Sequence, residues 1–121
     1  MATRSTVWVQ VNENLARGIY IHWDGYPEGV GMTLAQNYTD IESVNELINL
    51  GSLSSLRATF DETVAYHRDR NEEDVIIYSC TSAAECAEYF EEYNYIFVDG
   101  HWFLISDNGE KIHMETLKLI S

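Results

Sequence analysis

Two polar side chains near the start of the chain have the spacing of metal ligands. His22 and Asp24 stand two positions apart in a strand-like segment, and alternate residues of a strand point to the same face. A zinc site needs three or four ligands. The further ligands would have to come from His67, His101 and His113. Nothing in the spacing brings these together, so we expect no metal and no cofactor. With Tyr26, the pair stays open as an alternative: the pocket of a small-molecule-binding protein or a small enzyme.

Other catalytic motifs are incomplete. His67-Arg68-Asp69 matches the start of a kinase catalytic loop, but Asp74 stands where that loop has its asparagine. Gly25, Gly29 and Gly31 lack the Lys-Ser/Thr ending of a phosphate-binding loop. We therefore expect no enzyme.

The cysteines and the apolar pattern indicate a reduced, cytosolic protein. Cys80 and Cys86 are too few for a disulfide framework and lack zinc-site spacing. Cys80 precedes a predicted helix, which makes it a weak nucleophile candidate without a positioned base. No apolar run reaches membrane-spanning length, and the first five residues lack the apolar core of a signal peptide. Residues 1–121 are expected to form a single domain.

Acidic residues dominate the charge of the chain. There are 20 acids against 7 bases, a formal net charge of −13, which disfavours direct binding to nucleic acid or to an anionic membrane. Most of the excess lies between Asp61 and Asp99, and no lysine precedes Lys111. Carboxylates at helical spacing form a negative face. The predicted partner-binding residues are Asp69, Glu72, Glu73, Asp74, Glu85, Glu88, Glu91 and Glu92, with Tyr89 as an aromatic anchor.

The strands predicted from alternation form two hairpins. Residues 5–11 and 18–23 form the first, with 12–17 as the connection. The apolar residues expected on its buried face are Val7, Val9 and Val11 on one strand and Ile19, Ile21 and Trp23 on the other. Residues 95–98 and 102–106 form the second hairpin, because Asp-Gly between them is a strong turn signal. Residues 74–79 read as a further strand.

The remaining segments are predicted to form a glycine-rich loop and three helices. The glycine loop from Gly25 to Gly31 is expected to hold a positive backbone φ at one of its glycines. A short helix over Val30–Tyr38 follows. Capping boxes at Thr39–Glu42 and Ser82–Glu85 open two more helices. The apolar face of the first of these is Ile41, Val44, Leu47 and Ile48, and Gly51 ends it. The fold class is α+β: an antiparallel sheet built from hairpins, with two or three helices on one face.

A further signal comes from five segments that span most of the chain. They are Thr3-Arg-Ser-Thr6, Ile19-Tyr-Ile-His-Trp-Asp-Gly-Tyr-Pro-Glu28, Leu53-Ser-Ser-Leu56, Thr63-Val-Ala-Tyr-His-Arg-Asp-Arg70 and the Tyr-x-Phe-x-Asp-Gly-x-Trp pattern of Tyr95 to Trp102. In this order they resemble a family of small phage and prophage proteins. The resemblance implies a mobile-element origin and the cytosol of a bacterial host, and it implies no catalytic residues. Asn71 departs from the family, which has glycine there.

Charge and resemblance together predict an acidic phage protein that binds and inhibits a basic, nucleic-acid-handling host protein. Small acidic phage proteins that block bacterial defence, including CRISPR inhibitors, are an analogy of class. The alternatives are the pocket near His22 and a phage accessory protein whose acidity serves solubility alone.

Overall fold

A mixed β-sheet forms the centre of the computed structural model, which describes residues 3–70, 77–80, 93–105 and 111–113. The strands are β1 (Ser5–Asn12), β2 (Leu15–Ile21), β3 (Leu53–Ser55), β4 (Val64–Ala65), β5 (Tyr78–Cys80), β6 (Tyr93–Val98), β7 (His101–Ile105) and β8 (Lys111–His113). The helices are α1 (Met32–Asn37), α2 (Ile41–Asn49) and α3 (Tyr66–Arg70), and a π-helical turn over Pro27–Gly31 precedes α1. The α+β class is therefore confirmed.

The strand order combines antiparallel and parallel neighbours. It runs β4-β3-β2-β1-β6-β7-β8, and β5 pairs with β2 as well. β1 and β6 lie parallel at the centre of the sheet, and β2 and β3 are parallel too. The prediction of a purely antiparallel sheet is wrong on this point. Hairpin signals report only strands that are neighbours in sequence, whereas β1 and β6 are joined by a long crossover.

The first hairpin is confirmed, with a shorter turn than expected. Val7 pairs with Ile19 across β1 and β2, and the chain turns at Glu13 and Asn14. The Asn12 side chain accepts a hydrogen bond of 2.8 Å from the Asn14 backbone N–H. Val7, Val9, Ile19 and Ile21 are all fully buried, as predicted.

The two ends of the predicted apolar face are corrected. Trp23 is 43 % exposed and Val11 is 50 % exposed. Strand β2 ends at Ile21, and the backbone N–H groups of His22 and Trp23 donate instead to Leu53 and Ser54 carbonyls. Trp23 therefore lies outside the alternation that buries Ile19 and Ile21.

Two apolar clusters form the core. The larger one contains Val7, Ile19, Leu34, Leu47 and Tyr95, so α1 and α2 contribute to the same cluster. The smaller cluster holds alternate residues of the same strands. Its buried members are Trp8, Ala16, Cys80, Ile96 and Ile105. Both faces of the central strands are therefore buried, which is typical of strands with a parallel neighbour.

The second hairpin is confirmed, although its strands begin earlier than predicted, at Tyr93 and His101, and residue 106 lies outside the described residues. Asp99 and Gly100 join β6 to β7 with φ values of 50° and 82°. Positive φ at both central residues is the requirement of the two-residue hairpin turn that Asp-Gly favours.

Helix α2 begins one residue later than the capping pattern predicts. Asp40 is the N-cap, and its Oδ1 accepts a hydrogen bond of 2.7 Å from the Ser43 backbone N–H. Thr39 does not take that role. Gly51 follows the helix with φ 78°, as expected for a C-terminal glycine. Ile41, predicted in the core, is 48 % exposed. The helix predicted to open at Ser82–Glu85 lies outside the described residues.

Candidate functional site

Residues 22–31, which we call the aromatic loop, are held to the body of the protein by backbone hydrogen bonds. The Gly25 N–H donates to Thr3 O at 2.8 Å, and the Val30 N–H donates to Asp24 O at 2.8 Å. The buried Tyr95 hydroxyl donates to Gly25 O at 2.7 Å. Burial raises the pKa of Tyr95 above its ordinary value, so this hydroxyl keeps its proton. The loop therefore has a fixed path.

The glycines of this loop serve close packing rather than a positive φ. Asp24, with φ 59°, is the residue of the loop with a positive φ, and Gly25, Gly29 and Gly31 have none, so that prediction is wrong. A Cβ at Gly29 would stand 2.4 Å from Asp24 O. A Cβ at Gly25 would stand 2.8 Å from Thr3 O. Two backbone segments meet there, and only glycine leaves room.

The three residues of the predicted pocket have separate contacts: His22 contacts Tyr20 and Trp23, whereas Tyr26 contacts Asp24. The Tyr20 hydroxyl and His22 Nδ1 are 2.7 Å apart, and the Trp23 ring packs edge-on against His22 at 4.7 Å between centroids. Asp24 is beyond the end of β2, so it does not share a strand face with His22. The Tyr26 hydroxyl is 3.4 Å from Asp24 Oδ1, which is a long hydrogen bond. Within the described ranges, no three residues of metal-ligand type are grouped to hold an ion.

The loop instead presents aromatic and acidic groups to solvent. Trp23 is 43 % exposed and Tyr26 is 39 % exposed, and both are among the few large apolar side chains that face water. Asp24 and Glu28, both exposed, lie between and beside them. Exposed tryptophan and tyrosine beside carboxylates are the groups that bind lysine or arginine side chains, through the ring faces and through charge.

Asp69, the first of the predicted partner-binding acids, is engaged within the protein. It forms an ion pair with Arg68 at 2.9 Å, and its Oδ2 accepts the Ala65 backbone N–H at 2.8 Å. The hydrogen bond from Arg68, followed by that from Ala65, lowers the pKa of Asp69. Its role is to hold the start of α3. The other predicted residues, Glu72, Glu73, Asp74, Glu85, Glu88, Tyr89, Glu91 and Glu92, lie outside the described residues.

Several arginines are also committed to internal contacts. Arg68 donates to the backbone carbonyls of Phe60 and Thr63 as well as to Asp69. Arg17 donates to Asn49 Oδ1 at 2.9 Å. The charge of Arg68 is therefore offset by Asp69, whereas Arg17 keeps its charge in a position fixed by Asn49.

Two adjoining concave sites, which we call the turn cleft, lie where the second hairpin turns. The larger, about 340 Å³, includes Gln10, Asp40, Ile41, Phe97 and Asp99 in its lining. The smaller, about 310 Å³, shares Gln10 and Asp99 with it and includes Val11 and Glu13. Ile41 and Val11, which are exposed rather than buried in the core, thus line a concave surface.

Long-range contacts assemble the turn cleft. The Trp102 indole N–H of β7 donates to Tyr38 O at 2.7 Å, which holds the segment leading to Asp40 against the second hairpin. Parallel pairing of β1 with β6 sets Val9 beside Phe97 and so brings Gln10 to the same end of the sheet. Sequence analysis missed this site. The Asp-Gly turn and the helix cap are visible in the sequence, but their proximity depends on the parallel pairing.

Cys80 corrects the expectation of a reduced thiol. It is 3 % exposed in β5 and is disulfide-bonded, so it is not the nucleophile candidate of the sequence. Cys86 lies outside the described residues. Disulfides persist mainly in oxidising compartments, so a disulfide at Cys80 does not support the reduced compartment that the sequence predicts. The location in the bacterial cytosol is still only a prediction from the sequence.

The fold and the surface define a small α+β protein with an acidic, aromatic exterior. Comparison with family models, with curated proteins and with solved structures gave no match to the chain. The likeness to phage proteins accordingly stays a prediction of the sequence. None of the helices in the described ranges has the length and apolar content needed to cross a membrane.

Proposed function

We propose that this chain is a non-enzymatic phage protein that binds and inhibits a basic, nucleic-acid-handling protein of the bacterial host. A bacterial defence complex such as a CRISPR effector is the partner we favour. The main support for the proposal is a large negative charge that few basic side chains of the chain itself neutralise. The net charge is −13, and among the described residues the one ion pair is Arg68–Asp69. A surface of this kind attracts a positively charged groove that otherwise holds nucleic acid.

The acids of the described surface support this reading. They are exposed and lie on several elements of the fold, with no ion pair among the described residues. They are Glu13, Asp24, Glu28, Asp40, Glu42, Glu46, Asp61, Glu62 and Asp99. A solvated surface that served solubility alone is usually interspersed with lysines, which reduce the repulsion between carboxylates. This chain has none before Lys111.

The aromatic loop supplies a second contact of the right kind. Electrostatic attraction mainly speeds association, whereas lasting binding depends on a few buried aromatic anchors. Trp23 and Tyr26 are exposed on a loop of fixed path beside Asp24 and Glu28. We infer that they bind basic side chains of the partner, together with the acidic residues predicted from Glu72 to Glu92.

The experiment begins with capture of the partner. The full chain is immobilised and exposed to a bacterial lysate, and bound proteins are identified by mass spectrometry. We expect a basic protein whose association slows steeply as salt rises, because the screening length falls to about 8 Å at physiological ionic strength. Activity of the captured protein on its nucleic acid should fall as the acidic chain is added.

Charge-reversal variants locate the contact. The variant with lysine at Glu85, Glu88 and Glu92 should associate more slowly. The matched control carries lysine at Glu42 and Glu46, which are exposed on α2 and are not among the predicted partner-binding residues. If the triple variant keeps its on-rate and salt dependence, the predicted acidic face is not the contact. If Trp23→Ala leaves the dissociation rate unchanged, the aromatic loop is not an anchor.

A further inference from the structure

The turn cleft has the size of a binding site for one long side chain. Its larger part encloses about 340 Å³, within the range of roughly 300–1,000 Å³ seen for ligand sites. Its smaller part, about 310 Å³, shares Gln10 and Asp99 with the larger one. These two residues therefore border both parts of the cleft.

The lining combines an apolar wall with carboxylates. Ile41, 48 % exposed, and the largely buried Phe97 are the apolar residues that line the larger site. Asp40 and Asp99 provide carboxylates from two different elements, the cap of α2 and the turn of the second hairpin. A ligand that fits both needs an apolar stem and a cationic head. Arginine and lysine side chains have this composition.

The electrostatics favour a cation although a helix begins here. The N-terminus of α2 carries a partial positive charge that would attract an anion. Asp40 already meets that charge, since its Oδ1 accepts the Ser43 N–H at 2.7 Å, and Glu42 adds a second carboxylate in the first turn. Among the residues that the structure describes, no basic side chain lines either part of the cleft. Within this part of the chain, an anion would therefore face carboxylates without a positive charge beside them.

We propose that the turn cleft binds a guanidinium side chain, that of an arginine of the partner protein. This inference rests on the proposed function and names the group that the partner contributes. A planar guanidinium can donate to two carboxylates at once, whereas an ammonium acts as a point charge. Asp40 uses Oδ1 for the helix cap, and Oδ2 has no hydrogen bond within the described part of the chain.

The chain allows both charges to be removed without disturbing the fold. Asparagine is as good an N-cap as aspartate, so Asp40→Asn keeps the start of α2. Asparagine before glycine also favours the turn of the second hairpin, so Asp99→Asn keeps the positive φ of that position. The matched control is Glu46→Gln with Glu62→Gln, which removes the same charge from exposed positions that do not line the cleft.

N-acetyl-arginine methylamide is titrated into the isotope-labelled full chain, and the chemical shifts of the backbone amides are followed by NMR. We expect saturable shifts at Gln10, Ile41 and Gly100, with a Kd on the order of 1 mM, the weak affinity of a single group. The Asn double variant should bind at least tenfold more weakly, and the Gln control should stay within about twofold of the parent. The lysine analogue should bind more weakly than the arginine analogue.

Three results would overturn the inference: shifts that do not saturate, equal binding by the Asn double variant, or equal binding of the lysine analogue. Failure here is separable from failure of the proposed function. If the arginine analogue binds as expected but the lysate yields no basic partner, the cleft stands and the proposed inhibitor role falls. If a basic partner is captured equally well by the Asn double variant, the cleft has no part in that binding.

Discussion

Gly18 offers a direct test of how tightly the smaller core cluster is packed. It pairs with Trp8 across β1 and β2, and a Cβ at Gly18 would stand 2.3 Å from Cδ2 and 2.4 Å from Cε3 of the Trp8 ring. Ordinary carbon contacts are about 3.5–4.0 Å. The ring would have to move by about 1 Å or more. Trp8 is fully buried, and its Nε1 donates to Thr6 Oγ1 at 2.8 Å, so movement also strains that hydrogen bond.

The size of the effect of Gly18→Ala follows from three contributions. Overpacking of a core costs about 1–3 kcal/mol. Weakening the hydrogen bond of the Trp8 indole adds about 1 kcal/mol. Alanine in place of glycine stiffens the unfolded chain and returns about 0.4–1 kcal/mol. We expect the free energy of unfolding to fall by about 1–3.6 kcal/mol, a large part of the roughly 5–15 kcal/mol of a typical domain.

Unfolding in urea is measured by far-ultraviolet circular dichroism. Tryptophan fluorescence is not used, because Trp8→Leu removes one of the tryptophans that produce it. Trp8→Leu removes the ring that Gly18→Ala would meet, so the double variant should be less destabilised than the sum of the two single variants by about 0.5–3 kcal/mol. Gly100→Ala is the control without a steric clash, because nothing lies within 4 Å of its Cβ position and only its φ of 82° opposes alanine. A cost of Gly18→Ala below about 0.5 kcal/mol, or strict additivity with Trp8→Leu, would refute the packing argument.

Three further predictions concern single groups. Arg68 lowers the pKa of Asp69, so the stabilisation by Asp69 is complete above the ordinary carboxyl pKa of about 3.9 and is lost as pH falls through the lowered value. The stability difference between the parent and Asp69→Asn in urea unfolding should therefore be largest near neutral pH and vanish in strong acid. Asp40→Ala should cost about 1 kcal/mol through loss of the α2 cap, whereas Asp40→Asn should cost little, both read from thermal unfolding. Cys80 should resist alkylation in the unfolded chain until a reductant is added, and alkylation without reductant would contradict the disulfide.

The parts of the fold that sequence analysis predicted depend on local signals. Val7 and Ile19 are buried because period-two alternation holds along each strand of a hairpin, and a short turn fixes their register. Asp99-Gly100 predicts its hairpin because few residues other than asparagine, aspartate and glycine accept a positive φ. Gly51 marks a helix end for the same reason.

The parts that sequence analysis missed depend on contacts between distant segments. Trp23 continues the alternation of β2, but β2 ends where its backbone turns to hydrogen-bond with β3. The glycines of the aromatic loop are required by Thr3 O and Asp24 O, atoms whose approach no local pattern reveals. Ile41 fits the apolar face of α2, yet it lines the turn cleft because the second hairpin lies beside it.

The two aspartates of the turn cleft, Asp40 and Asp99, can be compared with the residues that the fold alone requires at their positions. Asp40 caps a helix and Asp99 forms a tight turn, so each has a sufficient structural reason to be polar and short. Asparagine would meet both needs equally well, and at the hairpin turn it is the favoured residue. The helix N-terminus also favours a negative charge at Asp40, so stability accounts for part of that charge as well as for the geometry of both positions. The turn itself does not require a charge at Asp99. The charge of Asp99, which lines the cleft together with Asp40, is the property that a cationic partner would explain, and Asp99→Asn removes it while keeping the turn.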